Sequence, residues 1–165
     1  MIFSANQKTI RNFPLCFLRV TPWLIFFILL ASPVFSQNAA DEIEILLETD
    51  AVTYGQAARF MLEAAGLQMT DPVQACQYAA EQKWLPKKVS ADAVARLDNV
   101  ALLVMRSFNL RGGLLYSLTK SPHFAYRELV YQDIIGNITD PAMPVSGEVL
   151  LYICSRVFMQ TEEGN

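Results

Sequence analysis

Few residues of this chain have the chemistry to be catalytic. His123 is its only histidine, and no Ser or Cys nucleophile pairs with it by spacing, so acyl transfer lacks its set of parts. Cys76, His123 and Cys154 lie far apart, with none of the short spacings that hold zinc. Gly112-Gly113 stands alone and reads as a helix stop, not as a phosphate-cradling loop. Glycoside hydrolysis needs two carboxylates flanking one sugar bond. Pairs such as Asp92 and Asp98 are available, but nothing in the sequence selects one. No catalytic, cofactor-binding or metal-binding residue is therefore expected, and no cofactor.

Trp84 and the tyrosines at 78, 116, 126 and 131 could stack on sugars or anchor a partner. More often such side chains fill a helical core and leave a polar tip at its rim. His123, in the first turn of an expected helix, reads as a surface residue. Asn137-Ile138-Thr139 matches a glycosylation acceptor, which matters only in a eukaryotic secretory pathway. At 165 residues and 53% hydrophobic, the chain is long and apolar enough for one domain with a real core. A formal charge of −3 leaves no electrostatic footprint for nucleic acid.

Part of that apolar content sits at the N-terminus. Lys8, Arg11 and Arg19 precede an apolar run from Val20 to Ala31, and small residues follow up to Ser36. This pattern predicts a secretory signal peptide over residues 1–36, cleaved after Ser36. The alternative is an uncleaved anchor: Leu15 to Phe35 is long enough to span a bilayer, but Arg19 and two prolines interrupt it. Without the signal, 10 basic residues face 16 acidic ones, a charge of −6. The chain is thus expected to be exported, to the periplasm or cell surface. An acidic exported protein is not expected to hold an anionic lipid surface by charge. Membrane contact is expected only through the signal segment, if it is kept. Cys76 and Cys154 remain, and an oxidising compartment could bridge them. Their place in apolar stripes fits two free thiols better.

The elements that must position these residues repeat along the chain. Val52–Leu67, Ala95–Leu110 and Pro144–Met159 align as three long amphipathic helices, with Gln56, Asn99 and Glu148 coinciding. A one-residue shift of the third copy would place Ser146 under Thr53. Asp71–Leu85 matches Ser121–Ile135 at a constant offset of fifty, each opening with a capping residue followed by proline. Thr53 with Gln56 reads as a capping box and Gly66 as a left-handed stop. Ser90 or Asp92 could cap the second long helix. Residues 39–49 read as a degenerate short helix, and Leu114 to Leu118 as either a short strand or a helical turn. The expected fold is all-α. One domain over 37–165 would hold three short-helix/long-helix repeats, about 39–67, 71–110 and 121–159, packed as a small pseudo-threefold bundle.

The repeat resembles the S-layer homology family. That family's unit is an Ala-rich short helix with an aromatic-aliphatic-Gly turn, a loop, and a long helix opening on Ile-Thr-Arg-Ala-Glu. His123–Gly136 looks like the short helix, Thr139–Glu148 like the loop and motif, and Val52-Thr53-Tyr54-Gly55-Gln56 is a second echo. The resemblance implies a spindle of three repeats that grips cell-wall polymer between its prongs. The motif's arginine, a natural donor to anionic sugars, is Tyr54, Leu97 and Ser146 here, so the fold can persist while that chemistry is lost. On this basis the expected function is a non-catalytic cell-envelope binding or scaffolding module. Its partner would be an envelope protein or wall polymer, with Tyr54, Gln56, Trp84, Asn99 and Glu148 as candidate groove positions. The alternatives are a small envelope enzyme, such as a carboxylate-dependent wall hydrolase, and a subunit of an obligate envelope complex.

Overall fold

Helices form where the sequence supplies a start signal and an apolar stripe. A computed structural model describes residues 34–136 and 140–163. The signal segment up to residue 33 and the Asn137–Thr139 acceptor lie outside them. Among the described residues the fold is all-α, with seven helices and no strand. The described residues from Glu42 onward group into one compact unit.

Helix α1, Val34–Leu47, starts earlier than the short helix expected at 39–49 and takes in Ser36. Helix α2, Tyr54–Ala64, opens on the expected capping box. Thr53 Oγ1 accepts the Gln56 N–H at 3.3 Å, and Gln56 Oε1 accepts the Thr53 N–H at 2.9 Å. Helix α3, Pro72–Glu81, is capped by the Asp71 carboxylate, which accepts the N–H groups of Val73 and Gln74. Helix α6, Pro122–Tyr131, keeps the proline, but Ser121 makes no side-chain cap.

Helix α4 departs from expectation. It spans Leu97–Ser107 behind Arg96, and neither Ser90 nor Asp92 caps it. The reason lies upstream, where the backbone is already committed to the first repeat. Ala91 and Ala93 accept from the Gly55 and Tyr54 N–H groups, both at 2.9 Å, and the Ala95 N–H donates to Val52. Carbonyls and amides spent this way cannot start a helix. Helix α5, Leu114–Thr119, settles the undecided segment as helical. Helix α7 runs from Gly147 to Glu163.

The helix stops repeat as the starts do. Gly66 and Asn109 end α2 and α4 at φ 86° and 50°, and Lys83 and Asp133 end α3 and α6 at φ 60° and 57°. Each stop makes the same backbone bond from the next residue: Leu67 to Leu62, Leu110 to Met105, Trp84 to Ala79 and Ile134 to Leu129, at 2.8–2.9 Å. This is the Schellman closure, which glycine suits best because it has no Cβ to strain a positive φ. Lys83→Gly is accordingly expected to raise stability by about 0.5–1 kcal/mol, read as a higher thermal midpoint. A lower midpoint would mean that the Lys83 stem contributes packing.

The three motif segments meet in a ring of backbone hydrogen bonds. The Val52 N–H donates to Val145, the Val145 N–H to Ala95, and the Ala95 N–H back to Val52, at 2.8, 3.0 and 2.8 Å. All three side chains are fully buried. The ring therefore matches Val52 with Ala95 and Val145, which corrects the register of the third copy by one residue. Ser146 falls under Thr53 and does the same work, its Oγ accepting the Val149 N–H at 3.3 Å. Val149, not Glu148, then corresponds to Gln56 and Asn99. The polar match of Glu148 with Gln56 and Asn99 suggested the other register. Burial decides against it, because Ala57, Val100 and Leu150 are fully buried while Val149 is only partly so.

Candidate functional site

In the corrected register, two grooves occupy equivalent places on the first and third long helices. The first, about 320 Å³, is lined by Gln56, Arg59, Phe60 and Glu63 of α2 facing Glu42, Ile45 and Leu46 of α1. The second, about 350 Å³, is lined by Glu148, Val149, Tyr152 and Ile153 of α7 facing Ile135 and Gly136 after α6. Gln56, Arg59 and Phe60 correspond to Val149, Tyr152 and Ile153 one by one. On the second long helix the same positions are Asn99, Leu102 and Leu103, and all three are buried. Two grooves are open and their middle counterpart is filled.

At Asn99 the space is taken by Tyr54 of the first repeat. Tyr54 is buried, and its hydroxyl accepts from Asn99 Nδ2 at 2.7 Å and from the Arg96 backbone N–H at 3.3 Å. Both polar groups are thereby satisfied inside the protein, as burial requires. Tyr54 and Asn99, expected to line a binding groove, are instead a structural clasp between the first and second repeats. The physical reason is the aromatic length of Tyr54, which carries its hydroxyl across to the next motif.

The other candidate positions do not converge. Gln56 borders the first groove, but its side-chain oxygen is used in the capping box. Glu148 is exposed at the second groove. Trp84 is partly buried against the core and stands edge-on to Tyr78, with ring centroids 5.7 Å apart. His123 is exposed beside Phe124, as expected. Arg59, Phe60 and Tyr152 were not singled out from sequence, and the signal that finds them is the one-residue register shift.

Electrostatics tie the grooves to the frame. Arg59 pairs with Glu42 across the first groove. The hydrogen bond that Arg59 donates to Glu42, with Glu63 nearby, holds the guanidinium more firmly charged against its partial burial. Asp98 is occupied by Arg96, whose Nε and Nη2 lie 3.2 and 2.8 Å from its two oxygens, and it also accepts the Asn99 N–H. A carboxylate so engaged is poorly placed to act as half of an acid/base pair with the exposed Asp92. Among the described residues no cluster of His, Cys, Asp or Glu has the arrangement of a metal site.

Cys76 and Cys154 are both free thiols, so the disulfide considered from sequence is not formed. Each is buried on the core face of its own helix, α3 or α7, where thiol carbon and sulfur pack as a small apolar side chain. Burial pushes both thiols above their usual range, and it does the same to the Tyr116 hydroxyl, against the pull of Arg106. Groups with a raised folded pKa stabilise the fold while they stay protonated, and that contribution is lost as pH climbs. Stability is therefore expected to be flat up to about pH 8.5 and to fall above it. Denaturant midpoints measured from pH 7 upward check this, and an unchanged midpoint at alkaline pH would remove the claim. Compared with protein families, curated proteins and solved structures, the chain matches none of them.

Proposed function

We propose that the chain is an exported, non-catalytic binding or scaffolding module of the bacterial cell envelope. Its three short-helix/long-helix repeats would be arranged around a pseudo-threefold axis in the manner of S-layer homology repeats. The observation that carries this reading is the ring joining Val52, Ala95 and Val145, because each segment donates to one neighbour and accepts from the other. The shared caps and stops support the same repeat. In the ring register the family's arginine position holds Tyr54, Leu97 and Gly147, so binding to an acidic wall sugar through that residue is not expected. The partner sites are instead the two open grooves. Their mix of amide, carboxylate and aromatic edges suits hydroxyl groups and flat sugar faces, or an extended protein segment.

Retention on purified sacculi, with envelope extract as the second matrix, tests the proposal. The protein is expected to be held by one of them and released by Phe60→Ala with Tyr152→Ser, one change in each groove. No retention on either matrix would remove the reading. Retention that ignores both substitutions would move the site away from the grooves.

A further inference from the structure

The two repeat units differ in length at one place. Matched positions are offset by 43 up to Gly66 and Asn109, and by 50 from Asp71 and Ser121 onward. Seven residues are therefore inserted between α4 and α6, and they contain α5. The sister repeat packs without them, and of α5 only Tyr116 joins the core.

The insertion is held rigidly yet turns its leucines outward. Tyr116 points into the core, and the Gly112 backbone lies so close to its ring that a Cβ there would clash. Gln132 Nε2 donates to the Arg111 carbonyl at 2.8 Å, and Ser117 Oγ to that of Gly112 at 3.2 Å. On this fixed platform Leu114 is 84% exposed, Leu118 81% and Leu115 54%. Tyr131 borders the same tip at 87%. Leu114 and Leu118 are four residues apart, so they share one helix face.

Charge surrounds this tip with the opposite sign to the rest of the domain. Residues 106–131 carry four basic side chains and one acidic, within a chain that is acidic overall. Arg106, Arg111 and Lys120 line a cavity of about 480 Å³ beside α5 with Asn109 and Ser117. None of the three is in an ion pair among the described residues. A convex apolar tip on a helix about 9 Å long, rimmed by a tyrosine and cations, has the dimensions and chemistry of an interfacial membrane anchor.

We propose that α5 docks on an anionic lipid bilayer, seating Leu114, Leu115 and Leu118 among the acyl boundaries and placing Arg106, Arg111 and Lys120 on lipid phosphates. The expectation drawn from net charge is thereby reversed locally, because a surface reads the nearest charges within a screening length and not the total.

Hydrogen exchange of the full chain, mixed with vesicles of phosphatidylcholine alone or with equal phosphatidylglycerol, tests this. Every variant keeps the same N-terminal segment, so any affinity that segment contributes cancels between them. Exchange over residues 111–120 is expected to slow on the anionic vesicles only, and to recover when salt rises from about 0.1 M to about 1 M. Arg111→Ala and Lys120→Ala should each weaken vesicle affinity about fivefold. Leu114→Ser with Leu118→Ser, or Leu118→Gln alone, should abolish the slowing over 111–120 while α4 exchange stays unchanged. Equal slowing on neutral vesicles, or none on either, would overturn the proposal. So would slowing by soluble glycerol phosphate alone, which would leave only an anion pocket, or slowing that follows protein concentration without lipid, which would make a second copy the occupant.

Discussion

Gly147→Ala is expected to destabilise the protein by about 3 kcal/mol and to lower its thermal midpoint by about 10 °C. Gly147 is the first residue of α7, and its N–H donates to the Thr49 carbonyl at 2.9 Å. A Cβ at this position would overlap the Leu46 carbonyl at the end of α1. The obstacle is backbone, not the far end of a flexible side chain, so it yields only by moving one helix from the other. Helix propensity alone argues the opposite sign, because alanine is favoured over glycine by about 1 kcal/mol. A loss is thus diagnostic of the close approach. Gly136→Ala, with open space around its Cβ, is the control and should change little. A Gly147→Ala variant as stable as the parent would show that α1 and α7 do not meet as described.

Tyr54→Phe is expected to cost about 1–3 kcal/mol although it removes a single oxygen. The Asn99 amide, buried and bonded to that hydroxyl, would lose its partner without regaining water. The exposed Arg96 would recover solvation for its N–H more easily. Replacing both partners by apolar groups removes the orphan, so Tyr54→Phe with Asn99→Leu should recover much of the loss. Denaturation midpoints of the two singles and the double give the coupling directly. The same series separates a clasp from a binding groove. A groove residue would change retention on envelope material with the midpoint untouched, whereas a clasp changes the midpoint.

The parts of the fold legible in the sequence were those written in local chemistry. Asp71-Pro72, Thr53 with Gln56, and Gly66 act within one helical turn, and each does in the structure what its spacing requires. The offset of fifty also holds in the core, where Ala75 and Ala125, and Ala79 and Leu129, are fully buried at matched places, while Ala80 and Val130 are partly buried. What escaped depended on distant partners. The start of α4 is set by backbone bonds that join Ala91, Ala93 and Ala95 to residues some forty positions earlier, and nothing near Ser90 or Asp92 announces them. The register of the third copy was hidden for the same reason, since a resemblance between side chains outvoted a ring that involves none. Tyr54 takes the position of the resembled family's arginine and so reads as a groove residue until its hydroxyl is seen to reach Asn99. The grooves then followed from the corrected register, not from any motif.

The ring at Val52, Ala95 and Val145 also bears on how this array could evolve. An open solenoid has two ends, so units can be added or lost one at a time, each stabilised by its nearest neighbour. Here every segment has both its neighbours already, and the circle admits no fourth member without breaking a bond. The seven residues by which the offset grows from 43 to 50, α5 among them, lie in a link between two of these segments and outside the ring.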